Sequence, residues 1–242
     1  MVLDTVNPGG GADGSIGARQ LRWLEERLDE AQRQRRLVLL FSHHGLRSLH
    51  NAVIAPDPLD PAGSDLPRHH GEEVKRVVSR YGCVIAWVNG HTHVNTVIPH
   101  GTFWEIGTAA HVDWPGQSRL VEVVDNADGT LSLFTTMVDH EGGEVTGFAR
   151  ELSGNDPQRG LATGAGGTDD RNTELILAHP FPGSVPSLLP QGDPRPDLVL
   201  PETGVPDNLT IGGAMALAGA LGLKALRFLA DTPADELPPN AG

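Results

Sequence analysis

The most constraining feature of this chain is an apolar run over residues 84–88 that is closely followed by two histidines, His91 and His93. A run of Val, Ile and Trp bounded by Asn89 and Gly90 is typical of a buried strand that ends in a sharp turn. Side chains two residues apart in an extended turn project in the same direction. Because neutral imidazole is the commonest protein ligand for transition metals, His91 and His93 are predicted to bind a metal.

A second apolar run, residues 37–42, leads directly into His43 and His44. Between the two runs lies a helical pattern over residues 71–81, with apolar residues at helical spacing on one face. A strand, a crossover helix and a second strand form a unit that returns the second strand beside the first. The sequence therefore predicts that His43 and His91 meet at one edge of a sheet.

These histidines lie in two motifs, Ser42-His43-His44 and Gly90-His91-Thr92-His93. The motifs resemble the fourth and fifth motifs of the calcineurin-like metallophosphoesterases, and residues 17–24 resemble the Gln-Leu-x-Trp-Leu helix that commonly precedes them. Residues 103–115 look like the late strands of an actinobacterial branch of that family. The resemblance covers roughly residues 1–180 and implies an α/β fold, the C-terminal half of a four-layer α/β/β/α sandwich.

The resemblance implies a hydrolase that uses two metal ions, Mn, Fe, Zn or Ni, to cleave a phosphoester substrate. In that arrangement His43 and His91 share one ion and His93 binds the other. We chose His43 rather than His44 because it directly follows the strand. Three further polar residues are expected to contact the ligands or the substrate: His44, Asn95 and His111.

Three motifs of the family do not occur in this sequence: Asp-x-His, Gly-Asp-x-x-Asp and Gly-Asn-His followed by Glu or Asp. The bridging Asp, the Asn ligand and the acid-catalytic His are therefore missing, and no catalytic residue is assigned. We expect an N-terminally truncated fragment that is inactive by itself and holds at most one ion weakly.

The C-terminal region contains a second recognisable pattern. It consists of a five-residue motif, an uncharged stretch at 209–223, and then Lys224 and Arg227. The motif is Leu200, Pro201, Glu202, Thr203 and Gly204. The pattern resembles a cell-wall sorting signal of the Leu-Pro-x-Thr-Gly type. It implies that a sortase joins the chain to peptidoglycan outside a Gram-positive cell, after an apolar segment at 209–230 has held it at the membrane. The Pro fixes an extended peptide that such an enzyme can bind.

Three regions follow from these patterns: a phosphoesterase part at 1–180, a Pro-rich spacer at 181–199, and the sorting signal at 200–242. Residues 1–6 contain no basic region and no signal-peptide core, so we expect export to depend on sequence upstream of residue 1.

Composition and spacing narrow the alternatives. A net charge of −13 argues against nucleic-acid binding, and the single cysteine, Cys83, is expected to be a buried apolar residue rather than a disulfide partner. An amidohydrolase barrel is disfavoured because it needs more strand and helix pairs after its His-x-His motif than this chain offers. A metallo-β-lactamase-like site is disfavoured because it needs an acidic residue and a histidine where this chain has Asn95 and Thr96. A non-catalytic wall-anchored module with a relict metal site remains the alternative function.

The coarse map of elements is as follows. Helices are predicted over 15–35, 71–81 and 169–179, and strands over 2–6, 37–43, 83–89, 94–99, 103–107, 118–125 and 130–138. The last two strands are joined by residues 126–129, a strong hairpin signal.

Overall fold

A computed structural model describes residues 1–54, 65–155 and 164–183. The helices are α1 (Ala18–Arg33), α2 (Gly71–Val78) and α3 (Glu144–Gly154). The strands, in chain order, are β1 (Ile16–Gly17), β2 (Val38–Phe41), β3 (Arg68–His69), β4 (Val84–Asn89), β5 (Thr96–Pro99), β6 (Trp104–Gly107), β7 (Ser118–Asp125), β8 (Thr130–Val138) and β9 (Thr173–Ala178). Short 3-10 turns follow β2 and precede β9.

Helices α1 and α2 each bury one apolar face. The buried residues of α1 are three or four positions apart, the spacing that places side chains on one side of a helix: Leu21, Leu24, Leu28 and Ala31. In α2 the corresponding residues are Val74 and Val78, both fully buried. These side chains form one apolar core with Leu40 of β2 and Trp87 of β4. The predicted amphipathic helices are thereby confirmed.

The main sheet has four strands in the order β2-β4-β6-β5, in which β2, β4 and β6 are parallel and β5 is antiparallel. The predicted crossover between β2 and β4 is confirmed, because these strands pair in parallel with α2 between them in the chain. The carboxyl ends of parallel neighbours lie at the same edge of a sheet. This edge is where the histidine motifs begin.

A second sheet, β7-β8-β9, is antiparallel throughout and packs against the main sheet. Ile85 and Ile106 of the main sheet form an apolar core with Leu131, Leu133 and their neighbours in β9. The β7-β8 hairpin agrees with the prediction from residues 126–129. The described residues therefore form a mixed α/β protein with two apolar cores, one that contains α1 and α2 and one that contains the second sheet.

Two predicted elements were wrong. Residues 2–6 make only one isolated bridge, Val2 with Phe41. Beyond it the Asp4 N–H donates to Gln20 Oε1, a side chain of α1, and not to a neighbouring strand. The helix predicted over 169–179 is strand β9, in which buried and exposed side chains alternate. Strand β9 pairs with β8, and successive side chains of a strand point to opposite faces of its sheet, so every second side chain is buried.

Other boundaries moved by a few residues, and three elements were not predicted: helix α3 and the two-residue strands β1 and β3. The helix predicted over 15–35 begins at Ala18, because Ile16 and Gly17 pair with β3. Helix α3 was not anticipated; it contains Gly147 and buries none of its residues. Propensity and a buried face are the signals that reveal a helix, and α3 offers neither strongly.

The C-terminal predictions lie largely outside the described residues. Phe181, at the start of the predicted spacer, packs in the first core. The rest of the spacer beyond residue 183, the sorting motif at 200–204 and the apolar segment at 209–230 are not among the described residues. Within the parts of the chain that the structure describes, no helix has the length and apolar character that crossing a membrane requires.

Candidate metal centre

The loops after β2 and β4 bring two of the predicted ligands together. His43 lies two residues beyond Phe41, and His91 lies two residues beyond Asn89. The carbonyl oxygen of His43 accepts hydrogen bonds from the backbone N–H groups of Gly90 (3.2 Å) and His91 (2.9 Å). These backbone hydrogen bonds join the loop after β2 to the loop after β4 and so fix the positions of the two histidines.

The ring nitrogens of His43 and His91 face each other. Nε2 of His43 lies 3.1 Å from Nδ1 of His91, and His44 brings a third imidazole nitrogen within 4.8 Å of both. For an ion at the usual metal–imidazole distance of about 2.05 Å, nitrogens 3.1 Å apart subtend an angle of about 100°, between the octahedral and tetrahedral values. The donor set therefore fits a transition-metal ion.

His44 is held differently from its neighbours. Its Nε2 lies 2.8 Å from the carbonyl oxygen of Ala12, which accepts only, so Nε2 carries the proton. Its Nδ1 then accepts from the Thr5 hydroxyl at 2.8 Å, and that same hydroxyl oxygen accepts the backbone N–H of His44. Both ring nitrogens are thus already hydrogen-bonded, and binding an ion through Nδ1 requires the Thr5 hydroxyl to turn away.

The local electrostatics favour the neutral form of His43 and His91. Partial burial lowers the pKa of His43, and positive charge on His44 and His93 would lower it further. Burial also lowers the pKa of His91, followed by the effects of His44 and His43, while the Asp13 carboxylate opposes them. A neutral imidazole has the lone pair that a metal needs, so the cluster favours binding near neutral pH.

His93 lies beside this group without joining its ring contacts. Its backbone occupies the left-handed region, with φ of 55°, and its N–H donates to the carbonyl of Gly90. Its Nδ1 is hydrogen-bonded to a carboxylate oxygen of Asp113. That bond leaves Nε2 as the nitrogen that His93 has available for an ion.

Of the two other polar residues expected to contact ligands or substrate, Asn95 lies inside the protein. It is fully buried, donates to Gln117 Oε1 at 2.9 Å and accepts from the backbone N–H of Ala109. The guanidinium of Arg119 also contacts its Oδ1. Asn95 therefore holds together the loops beside the site. His111 is exposed and its Nε2 contacts the hydroxyl of Ser118 at 2.5 Å.

The sequence did not indicate Asp13 and His50. Asp13 Oδ1 lies 3.8 Å from His91 Nε2, and its other oxygen lies 3.1 Å from His50 Nε2. Asp13 belongs to the Gly-rich loop of residues 7–17, which the sequence shows only as a turn-forming segment. Its contact with His91 depends on tertiary folding, so no local pattern could have found it.

A buried carboxylate, that of Glu105, supports the loop that follows His44. The Glu105 carboxylate accepts from the backbone N–H of Leu46 at 2.8 Å, from Asn89 Nδ2 at 3.2 Å and from His100 Nε2 at 2.8 Å. A Cβ on Gly45 would lie 2.4 Å from Glu105 Oε1, so only glycine permits this close approach. The β2 loop is therefore fixed to strands β4 and β6 by hydrogen bonds to one carboxylate.

Comparisons with known proteins give little additional information. No family model and no curated protein matches the chain. Among solved structures, it is similar to the crystal structure of a dimetal phosphatase from Danio rerio, with 17% identity and a TM-score of 0.35. The match covers 53% of this chain and 40% of the other. A TM-score this low does not establish a common fold, so these comparisons assign the chain to no family.

Proposed function

We propose that this chain carries part of the metal centre of a phosphoester hydrolase of the calcineurin-like type. The observation that supports this most directly is the 3.1 Å approach of His43 Nε2 to His91 Nδ1, at the carboxyl ends of two neighbouring parallel strands. The motifs that contain these residues, Ser42-His43-His44 and Gly90-His91-Thr92-His93, resemble those of the family.

In this proposal His43 and His91 bind one ion, and His44 lies within reach of it. His93 offers Nε2 to a second ion, and Asp113 fixes the orientation of its ring. When bound, such ions lower the pKa of a water molecule and stabilise charge on the phosphoryl oxygens. The buried Glu105 network keeps the two loops in place while substrate and product exchange. The same proposal includes the four-layer α/β/β/α sandwich, of which this chain would form the C-terminal half.

The proposal is tested by titrating the metal-free 242-residue chain with Zn²⁺ or Mn²⁺, and then the loaded chain with orthophosphate, in a calorimeter. We expect a single class of metal site and phosphate binding that requires the metal, because the reaction product of a phosphoesterase binds its ions. His91→Ala removes a ligand and is expected to abolish both signals. The matched control is His140→Ala, since His140 is exposed, lies outside both histidine motifs and contacts Pro115 and Asp139 through its ring.

Turnover of p-nitrophenyl phosphate is measured with the same samples. Because the sequence lacks the Asp-x-His, Gly-Asp-x-x-Asp and Gly-Asn-His motifs, we expect this chain to bind metal and phosphate with little or no hydrolysis. Metal binding without phosphate binding would favour the alternative, a surface module with a relict metal site. Absence of metal binding by the wild-type chain would refute the proposed centre.

We also propose that the C-terminal motif attaches the chain to a bacterial cell wall. The support is the sequence of residues 200–204 and the apolar run that follows it. Incubating the purified chain with a class A sortase and triglycine should cleave it after Thr203 and join the glycine amine to that residue. Thr203→Ala should block the reaction, and an unmodified wild-type chain would contradict the proposal.

A further inference from the structure

The Gly-rich loop that contains Asp13 lies beside the histidine cluster and is held there by several hydrogen bonds. Asn51 Nδ2 donates to the carbonyl oxygens of Gly10 (2.7 Å) and Asp13 (2.8 Å). The backbone N–H of Gly14 donates to Ser48, and the carbonyl of Gly14 accepts from Asn51. Because Asn51 is buried, these bonds fix the backbone on both sides of the Asp13 side chain.

The Asp13 carboxylate lies on the opposite side of the His91 ring from His43. His91 has Nδ1 at 3.1 Å from His43 Nε2, and its other nitrogen, Nε2, at 3.8 Å from Asp13 Oδ1. The second oxygen of Asp13 lies 3.1 Å from His50 Nε2, and the Nδ1 of His50 lies 3.0 Å from the carbonyl of Arg47. Three side chains, His50, Asp13 and His91, therefore form a row that leads to His43.

This arrangement has a chemical consequence for His91. A neutral imidazole carries one proton, and a carboxylate near Nε2 favours the tautomer with its proton on Nε2. Nδ1 then keeps its lone pair and faces His43. Metal-binding histidines in proteins commonly donate their other ring N–H to a carboxylate, and loss of that carboxylate weakens metal binding. At 3.8 Å, Asp13 acts on His91 as a nearby charge rather than as a hydrogen-bond acceptor.

We propose that Asp13 is a positioning residue of the metal centre, which selects the Nε2–H tautomer of His91 and thereby makes Nδ1 the metal ligand, with the ring of His50 in contact with the second carboxylate oxygen. The inference rests on the proposed metal site, and it assigns a role to two residues outside both histidine motifs. Asp13 acts through His91 and touches neither the ion nor the substrate in this account.

The first test needs no metal. Long-range ¹H–¹⁵N NMR spectra of the full metal-free chain at pH 8 report which ring nitrogen of His91 carries the proton. We expect the Nε2–H tautomer in the wild type and a substantial Nδ1–H population in Asp13→Ala. Asp13→Asn keeps an oxygen that accepts a hydrogen bond, and should retain more of the Nε2–H form than Asp13→Ala. An unchanged tautomer in Asp13→Ala would overturn the inference.

The second test is zinc affinity by calorimetry with a competing chelator. Asp13→Ala is expected to raise the zinc Kd by roughly 10–100-fold, the usual effect of removing such a carboxylate, and His50→Ala to raise it less. Glu26→Ala is the matched control, because Glu26 is an exposed carboxylate of α1 and its loss changes the net charge equally.

The outcomes separate this inference from the proposed function. Equal zinc Kd values for Asp13→Ala and Glu26→Ala would overturn the role of Asp13 while leaving the metal centre intact. Complete loss of zinc binding in Asp13→Ala with an unchanged His91 tautomer would identify Asp13 as a direct ligand and also overturn the inference. A wild-type chain that binds no zinc would refute the metal centre, and the NMR comparison would still decide whether Asp13 controls the tautomer.

Discussion

Ser42 joins the apolar core to the loop after β2 by hydrogen bonds, and we predict how much its replacement lowers the free energy of unfolding. The Ser42 hydroxyl donates to the carbonyl oxygen of His44 at 2.6 Å and accepts from Trp87 Nε1 at 2.7 Å. Trp87 is fully buried, so Ser42→Ala leaves its N–H without that partner. An unsatisfied buried donor costs about 1–3 kcal/mol, so we expect the free energy of unfolding to fall by about that amount.

The assay is urea denaturation followed by far-ultraviolet circular dichroism, supported by thermal melting. A loss of about 1–3 kcal/mol corresponds to a Tm about 2–12 °C lower for a protein of this size. Ser42→Thr keeps the hydroxyl and serves as the control, with a smaller expected effect.

A double-mutant cycle identifies the source of the loss. In a Trp87→Phe background the N–H is absent, so Ser42→Ala should cost only about 0.5–1.5 kcal/mol, the value of the remaining bond to His44. Equal costs of Ser42→Ala in the two backgrounds would refute the reasoning, as would a single-mutant effect within 0.5 kcal/mol of zero.

Three further predictions follow from buried or partly buried titratable groups. Glu105→Ala removes the acceptor of three donors, Leu46 N–H, Asn89 Nδ2 and His100 Nε2, and should lower the free energy of unfolding, measured by urea denaturation, by about 1–3 kcal/mol for each donor left unsatisfied, whereas Glu105→Gln should cost less. Burial raises the pKa of the Cys83 thiol to about 11, so Ellman's reagent should label the native chain at pH 8 very slowly and the urea-unfolded chain at once; rapid native labelling would contradict this burial. The pKa values of His43 and His91 are lowered from the ordinary 6.5, so the unfolded chain binds more protons in mild acid and the metal-free protein should lose stability as pH falls below about 6.5, with no such loss above pH 7. The pH dependence should weaken when both histidines are replaced by Gln, and an unchanged profile would contradict it.

Much of the fold was accessible from the sequence because its signals are local. The apolar periodicity of α1 and α2, the two strands that precede the histidine motifs and the hairpin at 126–129 all match the structure. The errors occurred where tertiary contacts override local pattern. Strand β9 reads as mixed polar and apolar until it is paired with β8, and beyond the bridge of Val2 to Phe41 the Asp4 N–H donates to the Gln20 side chain and not to a strand.

The candidate site was only partly predictable for the same reason. The strand-end motifs identify His43 and His91 as neighbours, because parallel strands bring their carboxyl ends together. The sequence could not show that His44 has both nitrogens engaged, since its partners Thr5 and Ala12 come from a distant loop. Asp13 was missed because an acidic residue in a Gly-rich turn has no pattern of its own.

The most direct measurement for the metal centre is X-ray absorption at the zinc edge on the chain loaded with one equivalent of Zn²⁺. The account predicts nitrogen ligands at about 2.0–2.1 Å from zinc, with the more distant scattering of two or three imidazole rings, and loss of that imidazole scattering in His91→Ala. A spectrum dominated by oxygen ligands without imidazole scattering, or one unchanged by His91→Ala, would contradict the proposed centre.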